Sequence, residues 1–340
     1  MAGFREKSIS LVANCASLLP NNWLQCCTKQ RLIVPVYHLV DNAPTPHVKH
    51  LYRVKNEKEF ETDLDFFLKY YTPISFDEVI DHVRGEKKVV KPSVFLTFDD
   101  GLRQCADIIG PLLWKKGVPA AFFINSGFVD NKALFFRYKV SLLIDTLHAN
   151  PSLLQKEEVK RVLKNWQTDS YSANLLLKAS YNETHLLDTL AKSMGFSFEA
   201  FLSSYQPYMN QMQLQNLVNQ GFYVGAHSID HPEYRLVSLQ EQMAQTQQSL
   251  DYVVDTLGLN YRTFAFPFTD YGVKKAFFDS FQSVLDCSFG CAGLKGEPMP
   301  KHFQRIPLEL GALGARQIMH AEYLYYLVKF VLNKHNIIRG

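Results

Sequence analysis

Nowhere in the 340-residue chain is there a run of about 18 apolar residues, so hydropathy excludes a membrane-spanning helix. A basic block is missing as well: Lys and Arg total 36 against 33 Asp and Glu, scattered along the chain to a net charge of +3. That removes the electrostatic footprint expected of a nucleic-acid binder. The six cysteines (Cys15, Cys26, Cys27, Cys105, Cys287 and Cys291) include no CxxC and no paired framework. This usage fits a reduced, cytoplasmic setting. Cys287 and Cys291 lack the second pair that a four-ligand zinc site needs. An exported protein is the alternative, because Arg5 and Lys7 precede the apolar stretch SISLVANCASLLP; Ser10, Asn14 and Ser17 interrupt it and no small-x-small cleavage site follows promptly. Repeats and low-complexity linkers are also absent.

What the chain does contain is alternation. Short apolar runs at 31–38, 93–98, 120–125, 221–228, 262–268 and 284–290 are separated by helical patterns, the signature of βα units and a parallel sheet. QRIPLEL (304–310) is a weaker strand signal. Phe60, Leu64, Phe67 and Leu68 fall on one helical face. Ser75 with Glu78 and Ser238 with Glu241 mark helix starts, and Gly258 marks a stop. Residues of about 131–213 are helix-patterned without a convincing strand. We therefore expect an N-terminal extension over 1–30 and an α/β fold over 31–340 that carries a helical insertion at about 131–213.

In parallel α/β folds, reactive groups collect where strands end. Here Asp99 and Asp100 of LTFDDG end one strand, His227 another, Pro267 and Phe268 a third, and His38 the first. Two adjacent carboxylates raise each other's pKa, so keeping both ionised requires a cation or generous solvation. HSIDH places His227 and His231 four residues apart, either on one helix face or in a tight loop. Two imidazoles and one carboxylate make an open metal site, and a second carboxylate beside it can take a proton from water. Alone, Asp-Asp-Gly after a strand is more often a turn, and HxxxH more often a pair of hydrogen-bonded histidines. The combination points to chemistry.

LTFDDG, LLWKKGVPAAFFIN, GFYVGAHSIDHP and FAFPFTDYG together resemble the polysaccharide deacetylase family (carbohydrate esterase family four), over about 32–130 and 212–310. The YH strand end and FETDLDFFL are similar to the branch that acts on bacterial exopolysaccharides. The resemblance implies an irregular TIM-like (β/α) barrel of about seven strands. It also implies hydrolysis of N-acetyl groups from an amino-sugar saccharide, with zinc or another divalent transition metal as cofactor. Asp99 matches the family's general base, and Asp100, His227 and His231 its metal ligands. Ser228 matches a residue that steadies the histidine loop, and Phe268, after Pro267, supplies a backbone N–H to the oxyanion. Tyr271 and Tyr234 are the aromatics available to stack on sugar.

Two departures stand out. The family's base-orienting arginine falls on Ala265, with Arg262 as a possible substitute. Its late Leu-x-His acid is absent, Ile318-Met319-His320 being a near miss inside a predicted helix. His38, on the reactive rim, is the better acid. Carbohydrate O-acetyl ester hydrolysis, a non-catalytic saccharide-binding protein and a non-haem iron oxygenase are the competing readings.

Overall fold

The computed structural model of the chain describes residues 4–166 and 173–339; the part of the predicted insertion at 167–172 lies outside the described residues. Eleven short strands are present among them: β1 (Leu32–Ile33), β2 (Pro35–Tyr37), β3 (Thr72–Pro73), β4 (Ser93–Val94), β5 (Leu96–Phe98), β6 (Ala120–Ile124), β7 (Tyr223–Ala226), β8 (Thr263–Ala265), β9 (Cys287–Gly290), β10 (His302–Gln304) and β11 (Ile306–Pro307). Every pairing between them is parallel. The main sheet runs β10-β9-β8-β7-β6-β5-β2-β11. Since β10 and β11 are two halves of one run broken at Arg305, the first half pairing with β9 and the second with β2, the staves return on themselves as a barrel. The fold is α/β and TIM-like, as expected.

Strand alternation divides the core. Along 94–98, Val94, Leu96 and Phe98 face outward and pack under the surrounding helices. Phe95 faces inward with Val34, Ala121, Phe123, Ala265, Cys287 and Phe289. The helix Phe76–Arg84 closes the lower end of the barrel, where Phe76, Val79 and Ile80 join that inner cluster. Its start is the Ser75/Glu78 capping box read from the sequence, and a second box, Asn56 with Glu59, starts the helix Glu57–Tyr70. The helix Leu239–Leu257 ends on Gly258 in a left-handed conformation.

The first two helices, Phe4–Ala16 and Asn21–Thr28, lie against the last one, Ala315–Val331: Ile9, Ala13, Ala16 and Leu24 are buried with Ile318, Met319 and Tyr323. Within 131–213 the described residues form helices with their own apolar cluster, including Leu143, Ile144, Leu163, Leu187 and Leu190, which joins the barrel through Leu39, Leu102 and Phe128. No described helix is long and apolar enough to cross a membrane. None of the six cysteines forms a disulfide.

Candidate metal centre and its rim

The upper ends of the strands gather polar residues on one rim. His38 follows β2, Asp99 and Asp100 follow β5, Asn125 follows β6, His227 follows β7, and Glu309 lies just beyond β11. To keep both carboxylates inside, the chain turns sharply after β5, with Asp100 and Gly101 at φ of 70° and 67°. A Cβ at position 101 would also lie 3.1 Å from Ile124 Cγ2, so a side chain there would be both crowded and strained. HSIDH is a tight loop: Ser228 and His231 take φ of 68° and 65°, a concentration of left-handed backbone typical of functional loops. Ser228 Oγ accepts from the His231 N–H at 3.0 Å and from Asn125 Nδ2 at 3.3 Å, and Asn125 also donates to the carbonyl of His227.

The loop brings together the ligand atoms of Asp100, His227 and His231, all within 4.8 Å of one another and all buried. His231 Nε2 lies 3.2 Å from Asp100 Oδ1, and His227 Nε2 lies 3.6 Å from it. His227 Nδ1 donates to the carbonyl of Ala265 at 2.8 Å, which leaves the Nε2 lone pair facing the carboxylate. Burial, the largest influence, lowers the His227 pKa to about 4, so its imidazole is neutral. Asp100 Oδ1 is buried without a hydrogen-bond partner among the described residues. A carboxylate oxygen stranded this way is costly unless a cation faces it. One carboxylate oxygen and two imidazole nitrogens suit a divalent transition metal.

Asp99 stands beside this group. Its Oδ2 is 3.7 Å from His227 Nε2, while its two oxygens accept from Arg305 Nη1 and Nη2, each at 2.7 Å. Burial, the largest influence, favours the neutral acid, but the Arg305 guanidinium together with His227 and His38 offsets it and holds Asp99 below the usual carboxylate range. Arg305 is itself buried; its Nε donates to the Gly290 carbonyl at 3.1 Å. Neither Ala265 nor Arg262 makes this contact with Asp99. Arg262 points away, donating to Asp251 at 2.8 Å, and Ala265 contributes only its carbonyl.

His38 is on the rim with 30% of its side chain exposed, and its Nδ1 is 2.5 Å from Glu309 Oε2. Glu309 Oε1 also accepts from the N–H groups of His38 and Leu39, each at 3.0 Å. Burial disfavours the imidazolium, but Glu309 prevails and raises the pKa to about 9. Phe268 takes φ of 56°, and its ring lies 4.6 Å from that of His231. Tyr271 is 74% exposed at the outer edge. Tyr234, in contrast, is no surface aromatic: it is fully buried, its hydroxyl paired with Thr246 at 2.8 Å and its ring packed on Phe264, Phe266 and Phe277. His320 is in the core against the Ala16 carbonyl, remote from the rim.

A second cluster, Asp270, Glu297 and His302, also has metal-competent spacing. Arg339 fills it: Nη2 donates to Asp270 at 2.5 Å and to Glu297 at 2.6 Å. Arg305, Glu309 and Asn125 were missed by sequence reasoning. A charged residue inside the apolar strand QRIPLEL was the available signal for Arg305, since a buried guanidinium demands a partner.

The sequence matches the family described as polysaccharide deacetylase over residues 86–277, more than half of the chain. None of the curated proteins matches it. Among solved structures it is similar to the deacetylase PplD of Streptococcus pyogenes, in complex with acetate (TM-score 0.55, 13% identity, 86% of this chain and 98% of that one). It is similar too to IcaB from Ammonifex degensii (0.52, 16%, 86% and 96%) and to a de-N-acetylase from Aggregatibacter actinomycetemcomitans (0.53, 14%, 86% and 100%). At these identities the likeness is one of fold.

Proposed function

This chain belongs to the polysaccharide deacetylase family, and from that premise we propose that it is a metal-dependent hydrolase that removes N-acetyl groups from an amino-sugar-containing saccharide. The observation that carries the proposal is the bare, buried Asp100 Oδ1 facing two imidazoles, with an ionised Asp99 held next to them. A divalent ion such as zinc, held by Asp100, His227 and His231, supplies Lewis-acid polarisation of the acetyl carbonyl and an acidified water.

The remaining work falls to the chain. Asp99, kept anionic and oriented by the fork of Arg305, accepts the proton of the attacking water. The backbone N–H of Phe268, after Pro267, donates to the oxyanion of the tetrahedral intermediate. Ser228 keeps His231 in place. His38, charged through Glu309, donates to the leaving nitrogen, a step that amide cleavage needs because an amine anion leaves poorly. Tyr271, exposed beside this loop, offers a ring face to sugar.

The test is acetate release from N-acetylglucosamine oligomers compared with O-acetyl esters, using zinc-loaded and chelator-stripped protein. Metal-dependent release from the amide supports the proposal. Release only from the esters, or from neither, overturns it in favour of an O-acetyl esterase or a non-catalytic saccharide-binding protein.

A further inference from the structure

The helical insertion reaches into the metal centre through one side chain. Tyr138, on the helix Phe136–Ala149, donates its hydroxyl hydrogen to Asp100 Oδ2 at 2.5 Å. Donor and acceptor are both buried. Asp100 has two oxygens with different surroundings: Oδ2 is taken by Tyr138, while Oδ1 is bare and faces His227 and His231. The tyrosine ring has little freedom. It lies edge-on to His47 at 5.1 Å and to Phe135 at 5.0 Å, and is stacked with Tyr208 at 6.2 Å. Phe135 in turn sits 4.2 Å from the His231 ring, so the insertion touches two of the three residues of the centre.

We propose that Tyr138 is a positioning residue for the metal: its hydroxyl fixes the rotation of the Asp100 carboxylate, reserves Oδ1 for the ion, and so makes metal affinity depend on the insertion. Without the hydroxyl, the carboxylate can rotate, and binding must then supply the ordering that Tyr138 provides in advance. Partners that orient a metal ligand contribute 10- to 100-fold in affinity. The inference rests on the reading of Asp100, His227 and His231 as ligands.

The experiment titrates zinc into metal-free full-length protein against a chromogenic chelator, with wild type, His231→Ala and Tyr138→Phe side by side. His231→Ala tests the centre itself and should abolish tight binding; if wild type and His231→Ala bind zinc alike, the centre and the inference fall together. If the centre stands, Tyr138→Phe should raise the zinc Kd about 10- to 100-fold. Its metal-free melting temperature should stay close to wild type, and at zinc well above the new Kd its kcat should recover. A Kd within twofold of wild type overturns the proposal, and so does a kcat that excess zinc fails to restore. Should the Phe variant not fold, 4-fluorophenylalanine at position 138 fills the space of the hydroxyl without donating a hydrogen bond. It should raise the zinc Kd about 10- to 100-fold, and a Kd within twofold of wild type overturns the proposal.

Discussion

Arg305 grips both oxygens of Asp99 at 2.7 Å, although 206 residues separate the two in the chain. A lysine there would keep the charge but not the two-pronged geometry. Arg305→Lys is therefore expected to lower kcat by about 10- to 100-fold while leaving bound metal unchanged, the size typical of residues that orient a reacting group. Arg305→Ala leaves a buried carboxylate alone and should cost about 3–5 kcal/mol of stability. Steady-state kinetics and thermal unfolding check both; a fully active Lys variant would show that Asp99 needs no fork.

Asp99 and Asp100 are neighbours with opposite expected phenotypes. Asp99→Asn keeps the shape and the Arg305 contact in part but removes the proton acceptor, and should reduce kcat by about 100- to 10,000-fold with zinc content intact. Asp100→Asn should instead release the metal, and activity lost to a chelator should return when zinc is added back. Metal analysis beside kinetics separates them. If Asp99→Asn loses zinc and Asp100→Asn retains it, the roles are exchanged.

Much of this was legible in the sequence because it is local. The βα alternation, the helix starts at Ser75 and Ser238 and the strand-end positions of Asp99, His227 and His38 each depend on a few adjacent residues. Arg305 and Glu309 were not legible, since their partners Asp99 and His38 lie more than 200 residues away and only barrel closure through β10 and β11 brings them together. Tyr234 misled for a related reason. Beside HSIDH it reads as a surface ring, but the chain turns it inward onto Phe264 and Phe266. Nothing local in the insertion announces Tyr138, whose contact with Asp100 follows from how that helix docks.

The His38–Glu309 pair gives a pH dependence of definite sign. The folded pKa, about 9, lies above the ordinary histidine value of 6.5. The pair's contribution to stability is therefore complete below about pH 6.5 and is lost as pH rises through about 9. If His38 is the acid, kcat/KM should fall on the basic side near that same pKa. Glu309→Gln should move that basic limb to lower pH, and His38→Gln should remove it along with most of the amide activity. A basic limb unchanged in His38→Gln would assign the acid to another group.

Arg339 occupies the second cluster of candidate metal ligands. Asp270, Glu297 and His302 could enclose a cation, but the guanidinium already stands between the two carboxylates, and His302 Nε2 lies 3.2 Å from Asp270 Oδ2. Gly290 makes room for this packing, because a Cβ there would lie 2.4 Å from Asp270 Cγ. Wild-type protein should therefore carry a single tightly bound ion. Arg339→Ala removes the cation from two largely buried acids and should cost about 3–5 kcal/mol, and Gly290→Ala should destabilise by displacing Asp270. Metal stoichiometry and thermal unfolding test this together: a second tightly held ion in wild type would mean that the guanidinium gives way to metal, and an undiminished melting temperature in Arg339→Ala would mean that the acids never needed it.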